Sequence, residues 1–473
     1  MKIQKIFNFD MSYLIKGCTV GAIALVLFIV GYFVIYKLAM KGEKKIRPFR
    51  VVWLCIFLAM MYIIVGYNIK STHTIPEKGG VVDFLYLYKL AWNSFNAEQW
   101  KHIIMNYVLF IPVGLWISLG LVRFRNFFYM VLSGLGLSIC VQMLQLFSSR
   151  NVFELDDLLG NTVGTVIGYG LAAVLFHFYN MVRKKQKFDY TRVLLLQVPL
   201  VLTLSCWGMM MLFYNLQEKG NNPYEAVAPQ DKNHFEVVIS KTLSDEKSNL
   251  LTYEKKKYTA EEAEEFGKEI FKKLGAEIDE EKTVVTDNNI TLYSKEGKQY
   301  SLAIDFDGGT YQFYDFEESI KDISVKKKKG ADEETIREAL KKYGVTVPEE
   351  AEFMELDDGH YQFKTDKIEN EEGMLNGALI CDYHGKGKFS SIHYSICNWK
   401  PYNDYPAKSE AEAFHEIEKG MFIYNGQEKD KLKIKVKNCS TTYILDTKGY
   451  YQPVYVFDCE INGKDDSLVI PAY

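Results

Sequence analysis

Asn106, Gln142, Gln145, Arg150, Glu154, Asp156, Asp157 and Asn161 stand in a stretch, His102 to Gly170, that is otherwise almost wholly apolar. Paired carboxylates such as Asp156 and Asp157 can bind a divalent cation or move a proton, and a neighbouring Arg150 can hold an anion such as a phosphate. Gln and Asn amides do humbler work between apolar helices, where they hydrogen-bond one helix to the next. Such groups are costly to place in hydrocarbon, so they should face one another, a water-filled cavity or the lipid headgroups, and Asn106, Gln142, Gln145, Arg150, Asp156, Asp157 and Asn161 form the candidate functional cluster.

The spacing says which elements must carry them. Ser138, Gln142, Gln145 and Ser149 recur at i, i+4, i+7 and i+11, which is one stripe of a helix; Asp157, Asn161, Gly164 and Gly168 form a similar stripe on the next. Gly160, Gly164 and Gly168 make a doubled G-x-x-x-G pattern that permits close helix approach, and Pro112 and Gly114 punctuate the preceding apolar run. The glycines and Ser138 are sufficiently explained as packing. The carboxylates and Arg150 are explained that way less well, although a structural Arg150 to carboxylate pair would also satisfy them.

Six apolar runs approach the roughly 20 residues that a spanning helix needs: Gly17 to Leu38, Val51 to Ile69, His102 to Val122, Phe127 to Phe147, Leu158 to Tyr179 and Val193 to Tyr214. The first has no small-residue cleavage site behind it and reads as a retained span. Pro112 and Pro199 fall inside spans and predict a kink at each. Dense Lys/Arg clusters follow spans 1, 3 and 5, at 37–50, Arg123/Arg125 and 183–192, so these loops should be cytoplasmic. The N-terminus and everything after Tyr214 are then extracytoplasmic, and the polar set gathers at the extracytoplasmic edge of the bilayer. Lys2, Lys5 and Lys16 pull the other way.

Composition supports a two-part chain. Of 473 residues 48% are hydrophobic, and the net charge is −4. Residues through Tyr214 hold 21 Lys and Arg against 9 Asp and Glu, whereas the remainder holds 35 against 51, so a basic membrane half (1–215) is joined through a polar linker (216–233) to an acidic water-soluble half (234–473). The acidic half argues against nucleic acid as a partner. It alternates amphipathic helices (Thr259 to Leu274, Asp332 to Tyr343, Ser409 to Phe422) with strand-like runs and closes on a hairpin turning at Asp446 to Gly449. The expected fold is an α-helical polytopic bundle followed by an extracytoplasmic α+β domain with antiparallel strands.

The ordered set Asn106, Phe110, Pro112, Gly114, then Gln142 to Gln145, then Arg150, Glu154, Asp157, Asn161, Gly164 and Gly168 resembles the VanZ-like membrane family over about residues 50 to 180. That resemblance implies a multi-pass protein of the bacterial cell membrane, associated in the founding member with resistance to the glycopeptide teicoplanin, without a known reaction. One position departs: Gln142 stands where the family usually has Glu. Gln cannot act as a base or neutralise a cation, so a mechanism needing a carboxylate there would use Asp156 or Asp157. The last repeat, with YYQPVYVFDCEI, faintly resembles PepSY-like repeats, which implies a protein or wall component as partner of the outer domain.

No G-x-S-x-G, H-E-x-x-H, Walker loop or closely spaced Cys pair occurs. His73 and His102 flank an aromatic segment, 81–100, that should lie at the interface over the polar cluster. Two lone histidines without a third ligand do not make a metal site, so neither metal nor cofactor is expected. Cys381, Cys397, Cys439 and Cys459 lie where disulfides are permitted, and Cys439 and Cys459, flanking the last hairpin, would meet only across a longer turn. The expected partners are the lipid bilayer, a cell-wall precursor lipid or glycopeptide, and an envelope protein through the outer domain. The readings left open are a protective factor, a membrane enzyme acting on a lipid-linked phosphate, and a sensor working through its outer domain.

Overall fold

The computed structural model describes residues 11–39, 41, 47–70, 80–82, 84–147, 152–185, 187, 189–295, 297–321, 328–370, 373–424, 426 and 431–473. Arg150, Ser149 and His73 lie outside the described residues. The chain divides into two compact units, one of Met1–Leu243, Ala413–Ser440 and Val456–Pro471, the other of Ser244–Glu412, Thr441–Tyr455 and Ala472–Tyr473.

Six helices of the first unit are long and apolar enough to cross a membrane. They are α1 (Met11–Val30, continued by π-helical turns over Gly31–Ala39), α2 (Pro48–Lys70), α4 (Ala97–Gly120), α5 (Phe127–Leu146), α6 (Leu155–Lys184) and α7 (Tyr190–Leu216); a short α3 (Tyr86–Ser94) precedes α4. Each expected span is present, and most run a few residues past their apolar core because polar caps extend them. Asn96 accepts from the Glu98 N–H to start α4, Asn126 accepts from Phe128 to start α5, and Asp189 accepts from Arg192 to start α7. Helical structure continues through both Pro112 and Pro199.

The glycines do what their spacing predicts. A Cβ on Gly164 would stand 2.4 Å from the Tyr107 carbonyl oxygen, one on Gly168 2.0 Å from that of Ile111, and one on Gly114 1.9 Å from that of Thr165. Helices α4 and α6 therefore meet backbone to backbone, a contact open only to residues without a side chain. Behind this seam Ile64, Phe110, Val113, Ile117, Met130, Val141 and Tyr169 form an apolar core drawn from α2, α4, α5 and α6.

The aromatic segment is built into the bundle rather than laid loosely across it. Leu87 and Ala91 of α3 bury against Trp100 and Ile103 of α4, with Tyr88, Tyr107 and Trp207 around them. The polar linker docks there as well: the Asn221 amide donates to the Trp92 carbonyl (2.5 Å), and the Asn93 amide donates to that of Glu225 (3.0 Å). A short parallel pair, β1 (Gly80–Val82) with β2 (Val152–Glu154), ties the connection before α3 to the connection between α5 and α6. The first unit also holds β3 (Phe235–Ile239), paired parallel with the start of β14 (Leu432–Leu445).

The second unit carries a sheet in the order β4 (Asn249–Lys255), β13 (Cys397–Pro406), β11 (Gly373–Gly385), β12 (Lys388–Tyr394), β8 (Tyr311–Asp315), β7 (Tyr300–Asp305), β6 (Asn289–Tyr293), β5 (Val284–Val285), every pair antiparallel. Amphipathic α8 (Ala260–Lys273) and α10 (Glu333–Lys342) lay Ile270, Phe271, Ile336 and Leu340 on Leu292, Leu302, Phe313 and Phe389 of that sheet. Helix α8 opens with a capping box between Thr259 and Glu262. The final turn closes where expected, with the Asp446 N–H donating to the Tyr450 carbonyl (2.7 Å). Cys381, Cys397 and Cys459 are free thiols.

Candidate functional site

Helix α4 presents His102 and Asn106 one turn apart, α5 presents Ser138, Gln142 and Gln145, and the junction of β2 with α6 delivers Glu154, Asp156, Asp157 and, one turn on, Asn161. All of these side chains are buried. The centre is Asp157, which is 0% exposed, so protein groups must satisfy its carboxylate. Asn106 Nδ2 donates to its Oδ1, Gln142 Nε2 donates to its Oδ2 (2.6 Å), and His102 Nε2 stands 3.3 Å from Oδ1.

Glu154 is the second carboxylate. Its Oε2 lies 3.1 Å from the same His102 Nε2. Its backbone N–H donates to Gln142 Oε1 (2.9 Å), so one Gln side chain holds both acidic residues in place through its two ends. The amide suits this position: a carboxylate at 142 could accept from the Glu154 N–H but could not donate to Asp157. Asn161 donates to Ser138 Oγ (2.9 Å), which in turn reaches the Asp157 carbonyl (3.5 Å), and Gln145 Nε2 donates to the Asn68 carbonyl on α2 (3.3 Å).

Asp156 is adjacent in sequence but performs another task. Its two oxygens accept the N–H groups of Leu85 (2.6 Å) and Leu87 (2.8 Å), so it anchors the first turn of α3. Leu85 holds φ 65°, a left-handed conformation that a branched side chain adopts only when its surroundings impose it. The two carboxylates that look equivalent in sequence are thus separated into an anchor, Asp156, and a site residue, Asp157.

Of the sequence candidates, Asn106, Gln142 and Asp157 meet directly, Asn161 joins through Ser138, Gln145 bonds to the end of α2, Asp156 turns to α3, and Arg150 lies outside the described residues. His102 and Glu154 were not singled out as site residues. The signal for His102 was its i, i+4 relation to Asn106; for Glu154 it was a third carboxylate beside Asp156 and Asp157. His102, Glu154 and Asp157 each offer one ligand atom, all lying within 4.8 Å of one another, so among the described residues they form a set able to hold a metal ion.

No curated protein matches the chain. Among solved structures, the Bacillus megaterium YpeB C-terminal domain aligns with 46% of this chain and 94% of its own length, at 13% identity and a TM-score of 0.26. An uncharacterized protein from Eubacterium rectale aligns with 48% of this chain and 84% of its own, also at 13% identity, with a TM-score of 0.25. One family matches within the membrane half: residues 23–177, which contain every described member of the polar cluster, are similar to the family described as VanZ/LLP1.

Proposed function

We propose that this VanZ-like protein protects a bacterial envelope against glycopeptide-type antibiotics such as teicoplanin, or maintains that envelope, through the cluster centred on Asp157. The observation that carries the reading is convergence. Side chains from α4 and α5 turn onto one buried carboxylate at the start of α6, at the end of the bundle where β1 and β2 join two connections. Helix packing alone would be served by the glycine seam, and ionisable groups at a membrane edge are costly to keep.

In this reading the cluster faces the extracytoplasmic surface. The dense Lys and Arg clusters after α1, α4 and α6 support that orientation, because such loops stay in the cytoplasm. The ligand is a cell-wall precursor lipid or the glycopeptide itself, and the acidic outer domain meets an envelope protein. A second reading, a membrane enzyme acting on a lipid-linked phosphate, is favoured by one feature: an imidazole shared between two buried carboxylates resembles acid–base or cation-binding machinery more than packing.

Antibiotic susceptibility of a deletion strain separates these from a purely structural cluster. Complementation with the wild type should restore protection, and Asp157→Asn should fail to do so at equal membrane abundance. Full protection by Asp157→Asn would overturn the proposal. Phosphate release from a polyprenyl phosphate substrate, lost in the same variant, would favour the enzyme.

A further inference from the structure

We propose that His102, Glu154 and Asp157 bind a divalent transition-metal cation, of the zinc class, at the centre of the polar cluster. The inference deepens the functional reading and rests on it for the cluster being the working part of the protein.

The geometry is that of a ligand set. A tetrahedral cation with bonds of about 2.0–2.1 Å holds neighbouring ligand atoms about 3.3 Å apart. His102 Nε2 stands 3.1 Å from Glu154 Oε2 and 3.3 Å from Asp157 Oδ1. One nitrogen and two oxygens match the three protein ligands of zinc sites that keep a fourth position open, and the imidazole favours zinc over the harder magnesium and calcium ions.

A separate observation points into the same place. Asn106 is 3% exposed, and its Oδ1 has no hydrogen-bond partner, while the nitrogen of the same amide is on Asp157 Oδ1. A buried amide oxygen left unbonded at the rim of a carboxylate pair is costly unless something positive fills the space. A cation held by the trio could take a water as its fourth ligand, and such a water is a donor that the Asn106 oxygen lacks.

The surroundings are those of a supported site. Metal-binding carboxylates are normally held by outer hydrogen bonds that set their direction. Gln142 donates one here to Asp157 Oδ2, and its Oε1 fixes the other residue by accepting the Glu154 backbone N–H. Both acidic ligands are positioned by the one Gln142 side chain.

Zinc content decides the matter. Full-length protein, purified in detergent with any affinity tag removed, is equilibrated with Zn2+, desalted and assayed by mass spectrometry of the metal. The wild type should retain about one zinc per chain, and Asp156→Asn, whose carboxylate anchors α3, should retain the same. His102→Asn and Asp157→Asn should lose at least tenfold in affinity. Cobalt in place of zinc should give tetrahedral visible bands in the wild type and in Asp156→Asn, and the wild-type spectrum is a readout that does not depend on the trio variants folding. Background zinc in wild type, or equal binding by the trio variants, would overturn the site. Its failure is distinguishable from that of the functional reading: protection lost in Asp157→Asn without zinc in wild type sinks the metal alone, and zinc bound with protection unchanged sinks the function alone.

Discussion

Replacing Gln142 by Leu removes both ends of the group that organises the site at little change in volume. The Asp157 Oδ2 loses its 2.6 Å donor and the buried Glu154 N–H loses its 2.9 Å acceptor. Each stranded buried group costs about 1–3 kcal/mol, with the charged acceptor at the upper end, so the variant should lose about 3–5 kcal/mol. Ser133→Ala on the same helix is the control: its hydroxyl donates to the Tyr129 carbonyl one turn back, on an exposed face, and its loss should stay within about 0.5 kcal/mol. Thermal unfolding in a mild detergent, followed by size-exclusion of the surviving monodisperse protein, ranks the two. Equal midpoints for Gln142→Leu and Ser133→Ala would refute the network.

Other consequences reach beyond the network. Gly168→Leu puts a side chain where a Cβ would already stand 2.0 Å from the Ile111 carbonyl oxygen; α4 and α6 must part by at least about 1 Å, and overpacking of about 1–3 kcal/mol should appear as a lowered unfolding midpoint. Asp156→Ala frees the Leu85 and Leu87 N–H groups, so limited proteolysis should cut near α3 sooner than in wild type, with zinc content unaffected. In the second unit, burial pushes the Tyr343 and Tyr394 phenols up to about 12. Unfolded tyrosines lose their protons near about pH 10, so between there and about 12 the unfolded chain binds fewer protons and stability falls as pH rises. Tyr343→Phe should flatten that fall, read as unfolding against pH with tyrosinate absorbance as a check.

Periodicity made the membrane helices legible, because hydrocarbon imposes a length and a composition on anything that crosses it. It could not place their ends, since Asn96, Asn126 and Asp189 extend helices through caps that look like loop residues. The amphipathic α8 and α10 were legible for the same reason as the spans: one face must be apolar. The parallel pairing of β3 with β14 was not, because it joins residues nearly 200 positions apart (Phe235 with Leu432) and no local pattern encodes such a partner.

The site was half legible. Helical spacing brought Gln142 and Asp157 forward, and intramembrane polarity explained why they matter. The division of labour between Asp156 and Asp157 was hidden, because it depends on where α3 begins, and α3 is held by backbone groups that carry no side-chain signature. His102 was discounted for lacking a third ligand in sequence, whereas folding brings Glu154 and Asp157 to it from 52 and 55 positions away.

The proposed function resides in the buried cluster around Asp157. Its most direct test is antibiotic susceptibility of a deletion strain carrying wild type, Asp157→Asn, or a chain lacking residues 221–473, with membrane levels matched. The account predicts that Asp157→Asn loses protection, as the null strain does, while remaining in the membrane. Protection retained by Asp157→Asn and lost on truncation would contradict it and move the working part to the outer domain.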